Sequence, residues 1–182
     1  MIIIIEGPDG SGKTTLANQL SKQTGYKVIH RVQPKADEEK QIMMGEYLQT
    51  IRSGKNMIFD RCWYSEMVYG PVMRDASVIG YPQMYDLERQ LMKAGAMIIY
   101  CTDTKAALWA RCQDRGEDYI VDRTTFDKIC EGFDQLFAAP HYIPVVTYKC
   151  PDMHTILSIV EFSILSLILK KRKQLYRPTL LR

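Results

Sequence analysis

Apolar residues along this chain follow two rhythms. Five short runs are apolar at almost every position and rich in β-branched residues: Ile2–Ile5, Lys27–His30, Asn56–Asp60, Ala96–Cys101 and Pro144–Tyr148. Between them, near 13–24, 37–53, 62–70, 83–94, 104–115, 123–137 and 153–173, apolar positions recur at helical spacing. Strands apolar on both faces and separated by helices predict a parallel sheet covered on each side, a three-layer α/β sandwich of five strands. No internal repeat or long linker divides the chain, so residues 1–182 read as one domain with room for a small lid.

The last helical stretch is apolar on nearly every side. Ile156, Leu157, Ile159, Val160, Phe162, Ile164, Leu165, Leu167, Ile168 and Leu169 leave little polar face, and Glu161 interrupts the run. The 15 residues from Thr155 to Leu169 fall short of the ~20 that span a bilayer. The pattern predicts a helix buried against the sheet or in a dimer interface, rather than a membrane anchor formed with Lys170–Lys173.

Charge sharpens this picture only slightly. With 24 Lys+Arg against 21 Asp+Glu the net charge is +3, too small to predict a nucleic-acid binder. Residues 170–182 carry six basic side chains and no acid, which leaves the rest of the chain mildly acidic. Cys62, Cys101, Cys112, Cys130 and Cys150 are odd in number, widely spaced and without a C-x-x-C pair, as expected of reduced thiols in the cytoplasm. The opening Met1–Ile5 run is ended by Glu6, too short for a signal peptide or a membrane span.

The chemistry starts immediately after that run. Gly7-Pro8-Asp9-Gly10-Ser11-Gly12-Lys13-Thr14 matches G-x-x-x-x-G-K-[ST], between a strand and a helix that begins around Thr15. Gly7, Gly10 and Gly12 allow backbone N–H groups to wrap an anion, and the helix N-terminus adds positive potential. Lys13 suits the β- and γ-phosphates of ATP, and the Thr14 hydroxyl suits Mg²⁺. Ser11 and Thr15 complete the triphosphate cradle. An N-K-x-D guanine reader, expected of a GTP switch, is absent.

A second cluster runs from Asp60-Arg61-Cys62-Trp63-Tyr64-Ser65 to Tyr69 and Arg74. Asp60 ends an apolar strand, so its carboxylate falls at the carboxyl edge of the sheet, where Mg²⁺ and phosphates gather. Arg61, next along, suits bidentate contact with a phosphate.

With these residues in view, the chain resembles the thymidylate kinase family of P-loop nucleoside monophosphate kinases. The family's E-G-x-D-G-x-G-K-T is present as Glu6 through Thr14, and its D-R-x-x-x-S-x-x-x-Y as Asp60, Arg61, Ser65 and Tyr69. A lid pattern, R-x-x-x-R-G, is present as Arg111, Arg115 and Gly116, and the likeness extends over residues 1–137. The resemblance implies a P-loop kinase fold with a lid near 111–123, a homodimer, and ATP with Mg²⁺ as donor. It implies that Asp9 holds the acceptor sugar, that Arg61 and Arg31 bind the acceptor phosphate, and that Tyr69 packs beside sugar or base. Arg74 falls at a spacing shared by some members and joins the acceptor site. Gly10 stands where some members carry an arginine; members lacking it use lid arginines, here Arg111 and Arg115, with Arg123 a further candidate.

The implied reaction transfers the γ-phosphoryl of ATP to a nucleoside 5′-monophosphate. A phosphate acceptor is already anionic, so charge neutralisation by Lys13 and the arginines replaces a strong base. Residues 35–40 lack the family's thymine-reading F-x-x-x-R segment, and Trp63, Tyr64 and Met67 crowd the segment that leads to Tyr69, either as core, the reading that suits Met67, or as the wall of a different base pocket. Two alternatives differ in acceptor: a deoxynucleoside kinase using Glu6 or Asp60 as base toward the 5′-hydroxyl, or a kinase acting on a modified base in DNA.

Overall fold

The structure is a computed structural model that describes residues 1–30, 37–77, 79–116 and 122–175. The five apolar runs become parallel strands: β1 (Ile2–Glu6), β2 (Lys27–His30), β3 (Met57–Asp60), β4 (Ala96–Thr102) and β5 (Val145–Lys149), side by side in the order β2-β3-β1-β4-β5. Ile5 is level with Asp60 and Glu6 with Tyr100, so the last residues of three strands line one edge. Connections leave β1 towards β2 and leave β4 towards β5. The carboxyl ends of β1 and β4 therefore flank the point where the winding reverses, where open α/β sheets bind ligands.

Period-two alternation divides the sheet between two cores. Ile2, Ile4, Phe59 and Ile98 face one apolar cluster with Trp63, Leu87, Phe126 and Phe133. Ile3, Ile5, Ile58 and Ile99 face the other, with Leu16, Leu20, Ile156 and Val160. Each fully buried isoleucine contributes about 1.5–3 kcal/mol of transfer free energy. That explains why the strand sequences show no polar alternation.

The helices are α1 (Lys13–Thr24), α2 (Asp37–Arg52), α3 (Trp63–Arg74), α4 (Tyr81–Ala94), α5 (Lys105–Asp114), α6 (Arg123–Ala138) and α7 (Met153–Leu175). Three depart from the sequence reading. Helix α3 does not stop at Gly70: it runs through Pro71, whose exposed ring gives up only the bond to the Met67 carbonyl, and ends one turn later at Arg74. Helix α4 starts two residues early because Gly80 donates its N–H to Gln83 Oε1 at 3.1 Å and Pro82 occupies the first turn. Helix α7 is covered on one side only. Ile156 and Val160 are buried in the core, whereas Phe162 is 74% exposed and Leu165, Ile168 and Leu169 are also open. No helix among the described residues is long and apolar enough to cross a membrane.

Candidate active site

The turn between β1 and α1 wraps a hollow rather than filling it. Gly7 has φ +143° and Gly10 φ +79°, backbone regions that favour glycine. Space closes the choice as well. A Cβ on Gly7 would sit 2.0 Å from the carbonyl oxygen of Cys101, and one on Gly10 would sit 2.3 Å from that of Leu108. No side chain caps the N-terminus of α1, whose first N–H groups point into the turn.

Lys13 is buried beneath this loop and donates to the Pro8 carbonyl at 2.5 Å and to Ser11 Oγ at 3.3 Å. Burial, reinforced by the charge of Arg61, pulls its ammonium down to about 8. Among the described residues its hydrogen bonds go to a carbonyl and a hydroxyl, and the nearby charges of Asp9 and Glu6 do not make up for its burial, so an entering phosphate supplies the missing charge. Ser11 Oγ in turn donates to the Pro8 carbonyl at 2.7 Å, which fixes the loop's shape.

Three carboxylates share the sheet edge and have different duties. Asp60 is 1% exposed; its Oδ2 accepts from Thr14 Oγ1 at 2.8 Å and lies 2.9 Å from His30 Nδ1. Its Oδ1 is buried with no hydrogen-bond partner among the described residues. One orphaned carboxylate oxygen beside a threonine hydroxyl and a phosphate cradle is the donor set Mg²⁺ prefers, with phosphate and water filling its other positions.

Glu6 is fully buried and turned away from the hollow: Oε1 accepts from the N–H groups of Cys62 (2.6 Å) and Ser65 (3.3 Å), and Oε2 from Ser65 Oγ (2.7 Å). Burial raises its proton affinity against these hydrogen bonds.

Asp9 forms a close ion pair with Arg61 and accepts from Tyr69 OH at 2.8 Å. Burial pushes Asp9 up, but the charges of Arg61 and Lys13 outweigh it and hold the carboxyl below its usual range.

Arg61 joins these elements. It sits over the Tyr69 ring at 5.5 Å and has φ +71°, rare for a side chain with a Cβ. Arg74, at the end of α3, donates twice from Nη2 to the buried Glu66 (2.7 and 2.6 Å), and its Nε and Nη1 are buried without a partner among the described residues.

The lid side explains the glycine at position 10. Because α5 packs so closely that no side chain fits there, an arginine reaching this point must come from α5 itself. Arg111 does so: Nη1 donates to the Gly10 carbonyl at 3.2 Å and Nη2 pairs with Asp103 at 2.5 Å. Arg123 is turned elsewhere, bonded to Asp127 at 2.8 Å and over the Trp109 ring. Arg115 lies exposed at the end of α5. Thr14 and Thr15 are exposed at the mouth of the loop, and Gly12 forms the N-cap of α1. Arg31 and residues 117–121 of the lid lie outside the described residues.

The structure thus brings Asp9, Lys13, Thr14, Asp60, Arg61, Tyr69 and Arg111 around one hollow, with Arg74 bonded to Glu66 on the same helix as Tyr69. The sequence reading missed Asp103 and His30. Both stand at or just past the carboxyl end of a strand, the position that singled out Asp60, so the same edge argument would have found them.

Comparison with known proteins supports the fold and shows the family. Residues 1–119 match the polyphosphate kinase 2 (PPK2) family. The prophage-derived protein YorR of Bacillus subtilis is 28% identical over 137 residues, 75% of this chain and 82% of its own length. The crystal structure of YorR, in complex with phosphorylated GDP, superposes with a TM-score of 0.75 at 23% identity, covering 90% of this chain and 95% of that one. A deoxyadenosine kinase from M. mycoides with bound dATP gives 0.63 at 17% identity, covering 90% and 99%. Polyphosphate kinase 2 from Arthrobacter aurescens gives 0.61 at 18% identity, covering 96% and 68%.

Proposed function

The chain belongs to the polyphosphate kinase 2 family, and we propose that within this kinase family it transfers the γ-phosphoryl group of ATP to a (deoxy)nucleoside 5′-monophosphate, giving the diphosphate. The observation that carries the reading is the convergence of three cationic groups on one loop. Lys13 and Arg111 donate to its Pro8 and Gly10 carbonyls, and Arg61 pairs with Asp9 and approaches the Gly7 carbonyl at 3.4 Å. A donor triphosphate needs the first two. The third, poised to exchange a carboxylate for a phosphate, suits an acceptor that already carries one. This reading keeps the likeness to thymidylate kinases for the acceptor half of the site, within a wider family described by polyphosphate.

The residues divide the work by position. The loop amides and Lys13 bind the donor's terminal phosphates. Asp9 and Tyr69 receive the acceptor sugar once Arg61 turns to the 5′-phosphate. Arg111, bonded to the loop at Gly10, stands where charge builds up on the transferred group. Arg115 and Arg31 are assigned to lid and acceptor phosphate on the sequence pattern. Arg74 keeps two donor nitrogens, Nε and Nη1, for an acceptor-bearing edge of the substrate. Thr14 and Asp60 would hold Mg²⁺, which supplies charge neutralisation on the donor phosphates.

The hydrogen bonding of Glu6 weighs against a deoxynucleoside kinase that uses Glu6 as its base, and Asp60, the other candidate, is assigned to Mg²⁺. The Glu6 oxygens already accept from three donors of α3 and its N-cap, which leaves that carboxylate unsuited to take a proton from a sugar hydroxyl. The reading includes a homodimer, which analytical ultracentrifugation checks. An activity panel tests the acceptor: dTMP, dGMP, dAMP, dCMP, the matching nucleosides and duplex DNA, each with ATP or inorganic polyphosphate as donor. Diphosphate formed from a monophosphate supports the reading, and turnover confined to nucleosides or DNA overturns it.

A further inference from the structure

A strained arginine in the acceptor site raises the question of what holds it. Residue 61 has φ +71°, a conformation that a residue with a Cβ adopts only where its surroundings impose it. The imposition comes from both sides of the residue and from the same two positions of β1. On one side, the Arg61 N–H donates to the Ile5 carbonyl at 3.0 Å, which extends the β1–β3 register one residue past the strand. On the other, the Glu6 carboxylate accepts from the N–H of Cys62 at 2.6 Å, the N–H of Ser65 at 3.3 Å and the hydroxyl of Ser65 at 2.7 Å.

Cys62 is the N-cap of α3 and has no side-chain cap of its own. Glu6 therefore acts as a cap in trans, delivered from the strand that leads into the phosphate loop. It satisfies two of the helix's orphan donors and complements the positive end of its dipole. The other end of the arginine meets the same group of residues: Nη1 approaches the Gly7 carbonyl and Ser65 Oγ, each at 3.4 Å. Ser65 thus touches both the Glu6 carboxylate and the guanidinium it helps to place. Glu6 itself is 0% exposed, so it meets no substrate.

We infer that Glu6 is a positioning residue for the acceptor: it clamps the start of α3 so that Arg61 is held in its left-handed turn with its guanidinium paired to Asp9. This rests on the reading of Arg61 as the ligand of the acceptor phosphate, and it makes a different claim from that reading. A carboxylate that only filled space in the core would affect folding, or both substrates alike. A clamp on Arg61 affects the acceptor alone.

The test is a double-mutant cycle on the purified full-length chain, with MgATP as donor and, as acceptor, whichever of dTMP, dGMP, dAMP and dCMP turns over fastest. Arg61→Ala raises the KM for the acceptor by about tenfold or more, the scale on which a misplaced clamp loses binding. Glu6→Gln keeps the shape but cannot accept from all three donors; it raises the same KM several-fold and leaves the KM for ATP within about twofold. In the Arg61→Ala background, Glu6→Gln adds nothing further, because there is no guanidinium left to place. Ser65→Ala, which removes only the 2.7 Å hydroxyl bond, moves the acceptor KM the same way by less, and decides the matter if Glu6→Gln melts early.

Equal shifts in the two KM values, or effects of Glu6→Gln and Arg61→Ala that multiply independently, overturn the inference while leaving the functional reading intact. An unchanged acceptor KM in Arg61→Ala itself overturns the functional reading, and the clamp falls with it.

Discussion

Two buried polar networks lie in this molecule, one at the phosphate loop and one beneath α4, and they are satisfied very differently. In the second, Glu88 is fully buried and both oxygens are used: Oε1 by Tyr64 OH (2.7 Å) and His141 Nδ1 (2.6 Å), Oε2 by the Tyr142 N–H (2.7 Å). His141 Nε2 meets the Leu136 carbonyl at 3.0 Å. That network closes on itself. At the phosphate loop, by contrast, Asp60 Oδ1 has no partner among the described residues, Lys13 rests on neutral oxygens, and Arg61 leans on a carboxylate that occupies the place proposed for a phosphate. A closed network stabilises a fold; an open one reserves its valences for a ligand. The two regions should therefore fail in opposite ways when mutated.

The largest effect is expected at Lys13. Lys13→Ala lowers phosphoryl transfer by about 10²–10³-fold or more, while the midpoint of thermal unfolding holds or rises, because a buried, poorly paired cation has been removed. Initial rates and a melting curve check this together. A variant that loses activity only because it unfolds would erase the distinction between the networks.

The reverse pattern is expected at Glu88. Glu88→Ala leaves His141 and the Tyr142 N–H buried without their acceptor, at a cost of about 3–5 kcal/mol, read as a fall in the melting midpoint of roughly 10 °C. The fraction that remains folded keeps its KM for both substrates. A change in KM at constant folded fraction would link the two networks.

The smallest effect depends on pH. Burial disfavours the His141 imidazolium, but the Glu88 bond and charge, with the Leu136 carbonyl, raise its proton affinity above the ordinary histidine value. A histidine raised in the folded state contributes stability in full below its unfolded value near 6.5, and that contribution is lost as pH rises through the folded value. Tyr64 is the other titratable group on Glu88, and its proton is held well above its ordinary range, so it stays protonated throughout. The gap in melting midpoint between the wild type and His141→Gln narrows from pH 6 towards pH 9. A gap that widens over that range would contradict the assignment.

The two regions also differ in how far they could be read in the sequence. The phosphate loop was legible because its glycines, lysine and threonine are adjacent, and Asp60-Arg61 because it ends an apolar run. Five strands and seven helices followed from apolar rhythm alone, with errors where local rules compete: Pro71 within α3, Gly80 and Pro82 ahead of α4. The Glu88 network was invisible, since its members come from α3, α4, α6 and the loop before β5, up to 78 positions apart in the case of Tyr64 and Tyr142, with no motif between them. Glu6 was visible as a motif letter, but its duty was not. Only the fold shows that the carboxylate faces α3 and not the substrate. The one-sided burial of α7 was hidden by a helix that is apolar all round, a pattern that does not say which face meets the sheet.

The most direct test of the account is the fate of label from γ-³²P-ATP in the presence of Mg²⁺ and the four deoxynucleoside monophosphates, read by chromatography. The account predicts label at the β-position of a nucleoside diphosphate, lost in Lys13→Ala and restored in Arg61→Ala only at high acceptor concentration. Label that never enters a diphosphate, or that enters one equally well without Lys13, would contradict it.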